Sequence, residues 1–158
     1  MACVSARQVL LSPGCADPLY RKSIRSSMGA CFKLPYLHAT DWPRELEALR
    51  TAHGYRLLAL HLQGSIAHDE AIAAAAGSGG HGGGSGGGSS DGSGGAPMAV
   101  MVGAEYEGVS DAAAACADVR VRIPMSDCME GSLDSLNVNV AAAIVLERVF
   151  CANQQRTS

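Results

Sequence analysis

Residues 100–111 read VMVGAEYEGVSD. The apolar run Met98 to Val102 stops at Gly103, and Glu105, Glu107 and Gly108 follow at once. A short apolar run bounded by turn residues reads as a buried strand. Glycine at 103 and 108 removes side chains where the flat face of a ligand can approach the backbone. The two acids admit a plainer reading, as helix-start carboxylates stabilised by the dipole. Local chemistry leaves both readings of Glu105 and Glu107 open.

Working outward, QVLL (8–11) closed by SPG, YRLLALHL (55–62) and VRVRI (119–123) also read as strands. Asp17 or Pro18 can cap a helix running through Leu19, Ile24 and Met28. A second helix has Thr40 or Asp41 as N-cap, Pro43 near its first turn and Leu46, Leu49 and Ala52 as its stripe, with Gly54 ending it. DAAAACAD is a short helix. The loop MSDCMEGSLD leads to a final helix, SLNVNVAAAIVLERVF, capped by Asp134 or Ser135, with Leu136, Val140, Ala143, Ile144 and Val149 facing inward. Strands alternating with helices predict an α/β fold, a parallel sheet flanked by helices.

In open parallel sheets, ligands bind beyond the carboxyl ends of strands. The ends visible here follow Leu11, Val102 and Ile123. The loop after Ile123 feeds a helix start, where backbone N–H groups point at a ligand. Ser135 and Asn137 flank Leu136, so both cannot lie on its buried stripe. Both are also ordinary capping residues.

The chain has 158 residues, the size of one domain, and a 47% hydrophobic fraction sufficient for a core. A net charge of −3 supplies no global basic field. Arg21, Lys22 and Arg25, with Lys33, form the densest basic segment, suited to RNA phosphates or to solvent; Arg120 and Arg122 can extend it. Residues 77–96, GSGGHGGGSGGGSSDGSGGA, read as a flexible surface insertion. Its G-x-G-x-x-G matches are products of composition, because no strand leads directly in. The six scattered cysteines lack C-x-x-C spacing and read as reduced, intracellular thiols. No metal site and no membrane span is expected, and MACVSARQVLL makes a poor secretory signal.

Three stretches together resemble the SpoU/TrmH branch of the SPOUT RNA methyltransferases. PLYRKSIRSSMGACFKLP is similar to that family's R-x-S-x-G-A-x-F-x-L-P segment. VMVGAEYEGVSD is similar to its second motif, a strand ending in G-x-E-x-x-G. IPM followed by SLNVNVAAAIVLE is similar to its third. Order and spacing agree over about residues 8–150, the glycine insertion apart.

The resemblance implies a C-terminal trefoil knot, an exception to the usual topological rule. It also implies S-adenosylmethionine bound in that knot, methyl transfer to a ribose 2′-hydroxyl of tRNA or rRNA, and a homodimer. The final helix would lie in the interface, where Ala141, Ala142 and Ala143 permit close approach. By position, Gly103, Ile123 and Leu136 would hold the cofactor, largely through backbone groups. Glu105, Ser135 and Asn137 would be the polar residues at the reacting centre. Such a site must align an in-line displacement and help remove the hydroxyl proton.

Two departures stand out. The loop from Met125 to Ser135 is longer than the family's. The family's first motif, which supplies an asparagine and the arginine regarded as general base, has no match in MACVSAR, and Arg7 sits too close to QVLL to replace it. The expectation is a catalytic domain incomplete at its N-terminus, with little activity as this exact chain. The alternative is a catalytically impaired remnant that binds cofactor or dimerises without turnover. The compartment expected is cytoplasmic or organellar.

Overall fold

The computed structural model describes residues 7–61, 64, 66–77, 96–104, 107–125 and 136–154. In chain order the elements are β1 (Val9–Leu11), α1 (Arg21–Ser26), a 3-10 turn (Ala30–Phe32), β2 (Tyr36–His38), α2 (Arg44–Thr51) and β3 (Arg56–Leu60). There follow β4 (Ile66–Ala67), α3 (His68–Gly77), β5 (Met98–Met101), α4 (Asp111–Cys116), β6 (Val119–Arg122) and α5 (Val138–Gln154). β1 and β2 form a parallel pair, and the other strands form a parallel sheet in the order β4-β6-β3-β5. The expected α/β architecture is therefore present.

β3 lies between two neighbours, and Leu57, Leu58 and Ala59 have no exposed surface. A parallel strand covered on both faces reads as a continuous apolar run. Its alternating side chains feed two cores. Leu57 packs with Leu46 of α2, with Val109, and with Ala113, Ala114 and Cys116 of α4. Leu58 packs with Ala71 and Ile72 of α3, Val121 of β6, and Val145 and Val149 of α5. Burying each such leucine contributes about 2 kcal/mol.

β3 and β4 lie on opposite sides of β6, and Gly64, between them in the chain, sits against the backbone of β6. The His61 N–H donates to the Val121 carbonyl at 2.9 Å, and the Gly64 N–H donates to the His61 carbonyl at 3.0 Å. A Cβ at Gly64 would stand 2.6 Å from the Val121 carbonyl carbon and 2.7 Å from the Arg122 nitrogen. Only glycine lets one backbone approach another at that distance.

Several local expectations are corrected. The first helix is only six residues long. Asp17 Oδ1 accepts from the Leu19 N–H at 2.8 Å, a local turn that competes with helix and delays its start to Arg21. Met28 lies beyond the helix, with φ 51° and 95% of its surface exposed. Pro43, not Thr40 or Asp41, precedes α2. Glu45 reaches back instead: its Oε1 accepts from the Thr40 N–H, the Thr40 hydroxyl and the Asp41 N–H at 3.0, 3.1 and 3.3 Å. The Thr40 backbone bond leads the effects that hold this carboxyl below its ordinary value. Leu46 is buried and Leu49 packs beside it, whereas Ala52 is the exposed C-cap residue.

The final helix begins at Val138 with Asn137 before it, not with Asp134 or Ser135 as cap. Its buried residues are Ala142, Val145 and Val149; Val140 is 49% exposed, Ala143 is exposed, and Leu136 and Ile144 are half-buried. VNVAAAIV is apolar almost all round, so its periodicity marks no single face, and packing against α3 and the sheet selects one. Of the expected insertion, only Gly77, the last residue of α3, and Ala96 fall within the described residues. β2, β4 and α3 are additions to the sequence reading. Among the described residues, Cys15, Cys31, Cys116 and Cys151 are free thiols. No described helix is long and apolar enough to cross a membrane, and no three described His, Cys, Asp or Glu residues group around a potential metal.

Candidate functional site

The parallel strands of the larger sheet all end on one edge. Ala59 pairs with Met101, Leu60 with Val121, and Ala67 with Arg122. Extending those registers brings Gly103, His61, Arg122 and Ala67 to one level, with Ile123 and His68 one residue further. Gly103 and Ile123 are thus gathered at one edge, about 10 Å apart across two strand spacings.

The turn after β5 is fixed by backbone. The Ala104 N–H donates to the Gly108 carbonyl at 3.1 Å, and the Gly108 N–H donates back to the Ala104 carbonyl at 2.9 Å. A Cβ on Gly103 would overlap the Gly108 carbonyl group and the Val109 nitrogen. This corrects the reading of Gly103: protein backbone, not a ligand face, fills the space that its missing side chain leaves. Gly108 needs glycine for another reason, its φ of +67°, and has open space around it. Glu105 lies outside the described residues. Glu107 is exposed and precedes the cap of α4, which is Ser110; the Ala113 N–H points at the Ser110 Oγ at 3.4 Å. The acid in that helix's first turn is Asp111, so the helix-start reading of Glu107 does not hold.

Gly103, Ile123 and Leu136 are each half-buried, and their backbone groups make no hydrogen bond with a described residue. Backbone N–H and C=O groups that leave water ordinarily find a partner. A flat heteroaromatic ring with donor and acceptor edges has the chemistry to supply one. Leu136 stands immediately before α5; Ser135 lies outside the described residues. Asn137 caps α5: its Oδ1 accepts from the Asn139 N–H at 2.9 Å, and its carbonyl accepts from Val140 and Ala141 at 2.9 and 3.0 Å. The capping reading of Asn137 is therefore correct, and its amide NH2 remains able to donate outward.

His68 escaped the sequence reading. It follows β4 directly, is 8% exposed, and its Nδ1 is buried without a partner. Its Nε2 stands 3.4 Å from Asp69 Oδ1, which Arg148 Nε approaches at 3.3 Å. A histidine directly after a strand end was the available signal, hidden because a two-residue strand leaves little pattern. Two of the described thiols are unsuited to nucleophilic work. Burial pushes the Cys116 thiol up, and a hydrogen bond to Glu147 at 3.0 Å raises that of Cys151.

Arg21, Lys22 and Arg25 are exposed on α1, and Lys33 is exposed after the 3-10 turn; none pairs with a described acid. Arg120 and Arg122 are both exposed on one face of β6.

Over residues 1–147 the chain matches the profile of the SpoU rRNA Methylase family. It is 42% identical over 142 residues to an uncharacterised tRNA/rRNA methyltransferase of Mycobacterium tuberculosis, a match covering 89% of this chain and 41% of that protein. The chain thus spans about two fifths of the length of the curated relatives it first matches. A solved RNA 2′-O ribose methyltransferase superposes with a TM-score of 0.67 at 29% identity, covering 94% of this chain and 47% of that one. A SpoU methyltransferase of Streptomyces viridochromogenes, solved in complex with the cofactor AdoMet, gives a TM-score of 0.67 at 24% identity over 97% of this chain and 49% of that one.

Proposed function

The chain belongs to the SpoU rRNA methylase family, and we propose that it serves an RNA methyltransferase that uses S-adenosylmethionine and acts on a ribose 2′-hydroxyl of tRNA or rRNA. The observation that carries this reading is that the backbone groups of Gly103, Ile123 and Leu136 make no hydrogen bond with a described residue. Those groups have the donor and acceptor chemistry for the edge of an adenine ring, and the Ala104–Gly108 bridge holds the backbone next to Gly103. Bound there, the cofactor supplies a methyl group on a sulfonium leaving group. The chain's own task is to align the hydroxyl and take up its proton. Asn137 can donate through its free NH2 while its carbonyl stays in the helix cap. Glu105 and Ser135 complete the polar set by position. Arg21, Lys22 and Arg25 would meet RNA phosphates.

Two structural proposals accompany this. The placement of β6 between β3 and β4, with Gly64 against the β6 backbone, supports a knotted C-terminal segment. The exposed Val140 and Ala143 on the outer side of α5 support pairing with a second copy.

Isothermal calorimetry with S-adenosylmethionine, followed by hydrogen exchange, tests the cofactor reading. Binding that slows exchange at the Gly103 and Ile123 amides is expected; a folded chain showing neither defeats it. Labelled methyl transfer to tRNA and rRNA transcripts tests the reaction. A ribose 2′-O product resists alkaline cleavage at the methylated nucleotide, whereas label in an alkali-sensitive position defeats the ribose assignment.

A further inference from the structure

The segment from Tyr20 to Lys33 carries two features that the cofactor edge does not use. The first is charge. Arg21, Lys22, Arg25 and Lys33 are four of the chain's twelve Lys and Arg residues, and no acid occurs between Asp17 and Asp41. Those two flanking acids are engaged locally, Asp17 with the Leu19 N–H and Asp41 with Arg44 at 3.3 Å. The second is exposed apolar surface. Tyr20 is 63% exposed, Phe32 is 67% exposed, and Met28 is almost fully exposed.

These side chains sit on a well-bonded backbone. The Ile24 N–H donates to the Tyr20 carbonyl at 3.0 Å, Met28 to Arg25 at 3.2 Å, Gly29 to Ile24 at 3.0 Å and Phe32 to Gly29 at 3.1 Å. The Phe32 ring lies beside Gly29: a Cβ there would be 3.7 Å from Phe32 Cδ2. Met28 adopts a left-handed conformation that a non-glycine residue adopts at a cost, and it does so with its side chain in solvent.

Apolar and basic residues interleave here, as in Tyr20-Arg21-Lys22 and Phe32-Lys33. Tyr, Phe, Met and Arg also suit a protein interface, but interface cores are depleted of lysine, and Lys22 and Lys33 within a stretch free of acids favour a polyanion as the partner. Duplex RNA is read through its shape, its 2′-hydroxyls and its phosphates, and has little use for exposed rings. An unpaired RNA strand offers both a polyanionic backbone and flat bases that stack on aromatic side chains. We propose that residues 20–33 form a platform on which unpaired nucleotides of an RNA loop or single strand stack against Tyr20, Met28 and Phe32 while Arg21, Lys22, Arg25 and Lys33 meet the phosphates. The proposal rests on the RNA reading above and narrows it to unpaired substrate regions.

The test is fluorescence anisotropy with an unstructured 12-nucleotide RNA and the same strand annealed to its complement, each at several salt concentrations. Wild-type chain is expected to prefer the single strand. Tyr20→Ala and Phe32→Leu should each weaken single-strand binding about ten-fold, at an unchanged salt slope, and Phe32→Trp should restore it. Arg25→Ala should instead flatten the single-strand salt slope by about 0.7. Wild-type affinity in both aromatic variants, or equal binding of duplex and single strand, overturns the platform while leaving RNA binding intact. If the aromatic substitutions convert a dimer to monomer in sedimentation without changing RNA affinity, the surface belongs to a second copy and the proposal falls. A folded wild-type chain that binds neither RNA defeats the broader RNA reading as well.

Discussion

At Gly103 the backbone of Gly108 and Val109 lies where a side chain would go; at Gly29 only the edge of the Phe32 ring comes near. The first glycine belongs to a turn closed by reciprocal backbone hydrogen bonds and backed by buried Val109. The second belongs to a segment that leaves a tyrosine, a methionine and a phenylalanine in water beside four cations that pair with no described acid. Both segments are short and contain glycine. The turn must hold one shape, and its residue types answer to internal packing. The 20–33 segment packs inward through half-buried Ile24 and Cys31, while Tyr20, Met28 and Phe32 stay exposed and available to a partner. Glycine thus carries different information in the two places.

Gly103→Ala should produce the largest effect. Its Cβ would meet fixed backbone rather than a flexible side chain, so the turn must open. The expected loss is about 3 kcal/mol or more, at the upper end for overpacking. Urea unfolding measures it. A loss below about 0.5 kcal/mol would mean that the turn relaxes easily, and the contrast between the two segments would disappear. Gly108→Ala should cost less, about 1–2 kcal/mol, because its positive φ is violated but no described atom would stand within 4 Å of the new Cβ.

How far the sequence revealed this follows from the same contrast. The strands at 9–11, 56–60 and 98–101 were legible as short apolar runs, and that at 119–122 as a Val/Arg alternation of period two. β4 was not, since two residues carry no period. The face of α5 was obscured by a surface apolar almost all round. Gly103 was legible as special, but its cause was not: contact with Gly108 depends on how the chain closes five residues later. His68 was illegible because its burial comes from tertiary packing. The exposed rings at 20 and 32 were also hidden, because Tyr and Phe in sequence give no sign of facing water.

Asn137 joins the two kinds of residue, since it both builds a helix end and offers a free donor. Asn137→Ala should cost about 1 kcal/mol through loss of the cap. Asn137→Asp should retain stability within about 0.5 kcal/mol, because aspartate caps equally well. If the amide also serves the proposed site, cofactor affinity or methyl transfer falls in both variants. Asparagine-like function in the Asp variant would confine Asn137 to capping.

The smallest stability effect belongs to Met28, and it tests the open segment from within. Met28→Gly removes the left-handed strain but gives the unfolded chain more freedom, two terms of about 1 kcal/mol with opposite sign. Met28→Ala keeps the strain and shortens the side chain, which makes few contacts to lose at 95% exposure. Both variants should therefore unfold within about 0.5 kcal/mol of wild type by urea titration. A loss of 2 kcal/mol in either would show that Met28 is held by packing, placing it with the Gly103 turn. Unchanged stability together with weakened single-strand RNA binding in both variants would place it with the surface that meets a partner.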